Sequence, residues 1–252
     1  MKSFLLILSV CSWIALTAQT KEALMDEGHQ LEGEFKIAEA LKRYEMALQQ
    51  DPDYVPALIR ASRMTSNIAA HIKELPKKKE ELAIAEKYSK RAVTLNPENP
   101  DAHFSLLVVL GLQSEIAPSP REKLKDAKLI HEEAEKIISL DPKYALGYFV
   151  LGKWHYELSK LTWVERVACD LFYGGVPKGV SMEESFKNFN IALKLDPDQI
   201  IILYGKAAAL HYEGKDEEAI RILERAISLP LRDVDDEYRK ERCKTLLKEI
   251  KG

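Results

Sequence analysis

Six histidines, three cysteines and 40 acidic residues are enough to build a metal site or an acid–base pair, so their spacing decides what they can do. His131-Glu-Glu-Ala-Glu135 begins like a helical zinc motif. Its fifth residue is glutamate where a second histidine would be needed to present two imidazoles on one helix face, so a solvated helix face is expected. The other histidines, at 29, 71, 103, 155 and 211, are scattered. Cys169 and Cys243 lack CxxC spacing and a histidine pattern, and read as small buried hydrophobes rather than as a disulfide or zinc ligands. No nucleophile elbow and no P-loop occurs, and Gly174-Gly-Val-Pro-Lys178-Gly179 has no phosphate-cradling spacing. The expectation is a protein that is not an enzyme and has no cofactor and no metal. What remains is the chemistry of binding: Arg63, Asn67 and Lys153 fall at positions where a cation or amide could hold an anionic group if the fold turns them inward.

The elements that would position them are helices. Charged residues make up 31% and hydrophobic residues 46% of the 252, with only 11 glycines and 11 prolines, a composition for soluble helical structure rather than disorder. A net charge of −3 gives no electrostatic reason to expect nucleic acid, whose binding rests on phosphate neutralisation.

Four stretches end alike: Ala47-Leu-Gln-Gln-Asp51-Pro52, Ala92-Val-Thr-Leu-Asn96-Pro97, Ile137-Ile-Ser-Leu-Asp141-Pro142 and Ala192-Leu-Lys-Leu-Asp196-Pro197. Ala226-Ile-Ser-Leu-Pro230 is a worn fifth. Proline has no amide proton and disfavours the α region before it, so each copy stops a helix at the same phase of a repeat. Counting back over a unit of about 34 residues places Leu24, Gly28 and Leu31 on one helix and Ala40, Tyr44 and Ala47 on the next, the tetratricopeptide pattern. Small residues let the pair approach and large ones fill the seam. The spacings Pro52–Pro97–Pro142–Pro197 are 45, 45 and 55 residues, so the array is stretched. Turns are expected at Leu75-Pro76-Lys-Lys-Lys79 and Ala117-Pro-Ser-Pro120.

The expected fold is all-α: a tetratricopeptide-repeat solenoid of about five helix pairs, with an inserted helix in the fourth and a C-terminal capping helix. The units are 21–52, 55–97, 100–142, 145–197 and 200–230, and the cap is 233–250. Residues 1–18 read as a signal peptide, because the apolar run Phe4–Ala18 is 15 residues, short of the roughly 20 that span a bilayer. The repeat domain is then 19–252 and the compartment is exported, periplasmic or secreted. Lipidation at Cys11, in Leu8-Ser-Val-Cys11, is the alternative, and only it would bring the chain to a membrane.

The fourth unit carries more than repeat. Leu151-Gly-Lys-Trp154-His-Tyr156-Glu, then Trp163-Val-Glu-Arg166 with Leu171-Phe172, then Glu184-Ser-Phe186 through Pro197, closely resemble the regulator of microtubule dynamics family. The likeness runs from about Ala102 to Leu247. It implies a tetratricopeptide fold and the family's roles on microtubules and mitochondria, with phospholipid binding through the repeat domain in one member. A signal peptide departs from that pattern.

In tetratricopeptide folds the first helix of each pair faces the concave side. That phase points Met25, His29 and Ile59 inward, together with the groove candidates Arg63, Asn67, Phe104, Val108, Phe149, Lys153, Tyr156, Tyr204 and Tyr212. Trp163 and Phe172 on the inserted helix could act as a lid. The expected function is a binding or scaffold module for a protein partner. The alternative is a carrier of phospholipid or another amphipathic ligand, because the wall is aromatic and a cation within it needs an acidic partner or an anionic ligand.

Overall fold

In the computed structural model, residues 19–173 and 175–252 are described, without the side chains of Phe172 and Tyr173. Twelve helices and no strand occur among them. The proposed leader and Cys11 lie outside the described residues.

The pairs are α1 (Lys21–Gly33) with α2 (Ile37–Gln50), α3 (Val55–His71) with α4 (Leu75–Leu95), and α5 (Pro100–Glu115) with α6 (Pro120–Leu140). Next come α7 (Ala145–Ser159) with α9 (Met182–Leu195), and α10 (Ile200–Tyr212) with α11 (Asp216–Ser228). The inserted α8 (Trp163–Tyr173) does not join the stack, and α12 (Asp236–Lys251) caps it by packing on α10 and α11. The tetratricopeptide solenoid expected from the repeat is therefore the architecture found.

The acid–proline punctuation at Asp51 and Asp141 works as a local device, whereas the Asp196 carboxylate pairs with Arg232 at 2.9 Å. The Asp51 amide closes α2 on Ala47 O at 3.0 Å, and its carboxylate takes the Asp53 amide at 3.2 Å. Asp141 repeats this with Ile137 O at 2.9 Å and the Lys143 amide at 2.9 Å. The carboxylate thus caps a turn that proline pre-shapes.

Within the first pair Gly28 faces Tyr44 so closely that an added Cβ would lie 2.3 Å from Tyr44 Cε1. Gly152 stands in the same relation to Phe189, at 2.9 Å from its Cδ1. Both rings are fully buried, so each seam is filled by one aromatic side chain set into a glycine gap.

One expectation fails locally. Leu75-Pro76 is not a turn but the start of α4, with Pro76 in the first helical turn. Proline costs nothing there because the first amides have no intrahelical acceptor, and the break falls earlier, at residues 72–74. The insertion opens with a capping box instead: Thr162 Oγ1 accepts the Glu165 amide at 3.3 Å and Glu165 accepts the Thr162 amide at 2.8 Å.

The ends of the array meet. Residues 232–239, entering α12, pass beside the C-terminal end of α3, where His71 Nε2 lies 3.0 Å from Asp235 Oδ1. The His71 ring is edge-on to Tyr238 at 6.0 Å, and Val234 packs against the N-terminal core around Leu24 and Met64. The superhelix closes on itself around a hollow.

Candidate functional site

That hollow is a cavity of about 1100 Å³ walled by α1, α3, α5, α6, α7, the start of α10 and residues 232–242. It slightly exceeds the ~300–1,000 Å³ of ordinary small-molecule pockets. On α3, Arg60, Arg63 and Asn67 follow one another at helical spacing along the wall. On α5 the same face carries Phe104, Val108 and Gly111, and on α7 it carries Leu146, Phe149 and Lys153. Phe104 is 9% exposed and belongs both to the core and to the wall.

The ionic pattern of the lining is uneven. Glu32 is engaged twice, by the Tyr44 hydroxyl at 2.9 Å and by Arg60 Nη1 at 3.1 Å. Burial, and after it the Glu32 charge, pushes the Tyr44 phenol well above its ordinary range, so it stays a donor. Arg239 is surrounded by Asp233, Asp235 and Asp236 at 3.4, 3.5 and 2.9 Å. Asp236, fully buried, also takes the amides of Arg232 and Asp233 at 2.9 and 3.0 Å. That carboxylate folds the connector that forms one wall. Arg63, Lys123 and Lys153 have no acidic partner among the described residues, and Arg242 lies over the Tyr204 ring at 4.4 Å.

Of the nine groove candidates, Arg63, Asn67, Phe104, Val108, Phe149 and Lys153 line this cavity, and Tyr156, Tyr204 and Tyr212 do not. Tyr156 turns to Tyr212 with ring centroids 6.0 Å apart, and Tyr204 is covered by Arg242 because α12 packs on that face of α10. His29 lines the wall, whereas Met25 and Ile59 are buried in the core at 5% and 6% exposure. Trp163 does not close the cavity: it is 76% exposed and outside the lining. The Phe172 side chain lies outside the described residues.

Among the lining groups that were not expected, Trp154 and three arginines stand out. Trp154 is buried at 6%, hangs from Ala127 O by its indole N–H at 2.8 Å and packs tilted against the His131 ring, with centroids 4.4 Å apart. Its place in the resemblance was the available signal. Arg232, Arg239 and Arg242 come from a segment whose charge reads as a solvated face, and no local pattern marks them.

Among the described residues no group of three or more His, Cys, Asp or Glu side chains could hold a metal ion, and no helix is long and apolar enough to cross a membrane. His103 is held by Glu133 at 2.6 Å and Pro97 O at 2.8 Å, a satisfied core histidine. Cys243 is buried and Cys169 half-buried, both free.

The fold has a solved counterpart in a thermophilic tetratricopeptide-repeat protein of Thermus thermophilus, at TM-score 0.66 and 17% identity, over 90% of this chain and all of that one. Regulator of microtubule dynamics protein 2 of Mus musculus is 24% identical over 227 residues, 90% of this chain and 53% of that protein. Regulator of microtubule dynamics protein 1 of Bos taurus is 27% identical over 179 residues, 68% and 55% of the two chains. The chain thus spans about half the length of these curated relatives. The model described as Regulator of microtubule dynamics protein 1-3 matches residues 24–251, nearly all of the repeat stack, and the chain belongs to the regulator of microtubule dynamics family.

Proposed function

We propose that the chain is a non-enzymatic binding module that holds a segment of a protein partner in its concave groove, in an exported compartment. The observation that carries the reading is the cavity itself: about 1100 Å³ with apolar, amide and charged side chains in one wall. Repeat arrays of helices bind through their concave surface, and a hollow of this size suits a folded-in chain segment better than a metabolite. Export rests on the apolar run Phe4–Ala18.

Gly111 offers the test. It lines the cavity, and an added Cβ there meets nothing within 4 Å, so Gly111→Leu fills the hollow without disturbing the core. Crosslinking of the full chain in its own cells, read by mass spectrometry, should give a partner whose crosslinks map to the groove and vanish in Gly111→Leu at a melting temperature no lower than the wild type's. Crosslinks confined to the convex face, or retained in the variant, reject the reading.

A second reading is a carrier of phospholipid or another amphipathic ligand. Its support is the apolar strip Phe104, Leu107, Val108 and Phe149 in the same wall as the unpaired Arg63. Native mass spectrometry of protein purified from cells separates the two, because a carrier retains lipid stoichiometrically.

A further inference from the structure

We infer that the segment held in the groove is acidic: a stretch of a partner protein in which carboxylates alternate with apolar side chains. The inference rests on the reading of the groove as a protein-binding site and specifies its ligand.

The charge balance of the wall points there. Every lining acid but Glu115 is already engaged: Glu32 by Arg60, Asp233 and Asp235 by Arg239, and Glu157 by Lys160 at 2.9 Å. Against this single free acid stand Arg63, Lys123 and Lys153 without an acidic partner among the described residues, and Arg242 held only by an aromatic ring and its hydroxyl. The chain as a whole is at −3, so the positive excess is local to the cavity. Arg63, half-buried in this partly apolar wall, is screened by fewer waters than the exposed Lys123, Lys153 and Arg242, so its pull on an anion is the strongest of the four.

Placement separates a peptide from a lipid. The four cations sit on α3, α6, α7 and α12, different layers of the array, with Phe104 and Val108 on α5 between α3 and α7 and Phe149 beside Lys153 on α7. One phosphate headgroup satisfies cations that converge on a point, whereas a chain segment meets cations distributed along its length. Two further lining groups want partners of a kind a peptide has: the Ser66 hydroxyl, on a residue 1% exposed, and Gln199 Oε1 are buried with no hydrogen-bond partner. Backbone amides can donate to both, as can the hydroxyls of a glycerol headgroup, so these two groups call for a donor without choosing between peptide and lipid.

The test pans short random phage-displayed peptides on the full chain, on Arg63→Glu/Lys153→Glu and on Gly111→Leu, then measures the selected peptides by fluorescence anisotropy. The expected result is selection of sequences mixing Asp and Glu with Leu, Ile or Phe. Their binding should weaken about tenfold in the charge-reversed variant, fall with added salt, and be lost in Gly111→Leu. The milder Arg63→Gln/Lys153→Gln serves if the reversal disturbs folding, with a smaller loss in the same direction. Neutral or basic peptides that require the open cavity would overturn the acidic preference while leaving the protein-binding reading intact, as would acidic peptides indifferent to the substitutions. Failure to select any cavity-dependent peptide, with retention of phosphatidylglycerol from mixed vesicles, would overturn both.

Discussion

Replacing Gly28 by alanine should destabilise the chain, although the same change inside an unconstrained helix stabilises it. The added methyl would sit 2.3, 2.8 and 2.9 Å from Cε1, Cζ and Cδ1 of Tyr44, against about 3.5–4.0 Å for ordinary carbon contacts. The ring cannot swing aside cheaply, since it is fully buried and its hydroxyl is fixed on Glu32 at 2.9 Å. Overpacking of this kind costs about 1–3 kcal/mol, and disturbing the hydroxyl's hydrogen bond adds about 1 kcal/mol. Alanine's better helix propensity returns about 1 kcal/mol. The net loss is about 1–3 kcal/mol, or a fall in melting temperature of roughly 2–12 °C for a domain of this size. Gly111→Ala, with open space at its Cβ, keeps only the propensity gain and should melt roughly 2–4 °C higher. Thermal melts followed by circular dichroism at 222 nm measure both. Tyr44→Leu in the Gly28→Ala background should recover part of the loss, since the pair is coupled through one seam. If Gly28→Ala melts at or above the wild type, the two helices do not approach as closely as described and the packing argument falls.

Three further outcomes are expected. Burial pushes the Cys243 thiol up to about 11, so at mildly alkaline pH iodoacetamide should modify the half-buried Cys169 and spare Cys243; peptide mapping showing equal modification contradicts the burial. His155 is buried with Nδ1 unpartnered, and burial first, with His131 second among the lowering causes, holds it below the ordinary imidazole range. The unfolded chain therefore takes the proton first, and its stabilising share, complete above the ordinary imidazole pKa of about 6.5, is lost as pH falls through that value toward the folded one. Urea titrations across this range should show a steeper acid loss in wild type than in His155→Gln, and equal slopes refute the assignment. Asp236→Ala removes the acceptor for the amides of Arg232 and Asp233 and for Arg239, at about 2–3 kcal/mol. Hydrogen exchange should then accelerate in residues 232–239 while α5 keeps its protection, and uniform acceleration would mean that the connector is not a separate wall.

The fold was legible because its signals are local. Asp51 and Asp141 cap their own turns two residues on, and the Gly28–Tyr44 complement joins adjacent helices, so punctuation and periodicity carry the architecture between them. Leu75-Pro76 misleads because proline serves equally as a helix stop and as a first-turn residue. Only the chain geometry at Glu74, which caps α4 without a side-chain hydrogen bond, decides between the two. Helical phase likewise brought Arg63, Asn67, Phe104, Val108, Phe149 and Lys153 to one wall. It erred at Tyr204 because α12 covers that face of α10, and at Tyr156 and Tyr212 because the two rings turn to each other.

The cavity belongs to a different scale. Most contacts of a solenoid join neighbours in sequence, yet His71 meets Asp235 across 164 residues, because the array has turned far enough for its cap to reach its second repeat. No composition or period encodes that meeting, since it depends on the summed rotation of successive units. The stretched units that belong to the stack enter that sum, so their irregular spacings bear on where the cap lands and not merely on how long the stack is. The buried Asp236 then fixes the landing point by folding the connector around Arg239. Residues that read as a charged, solvated terminus thereby become a wall, and Arg239 and Arg242 gain a role that their own neighbourhood in the sequence does not announce. It follows that which side chains face the groove is set by the long-range closure as much as by the repeat faces: Arg239 and Arg242 reach it only because residues 232–242 come back beside α3.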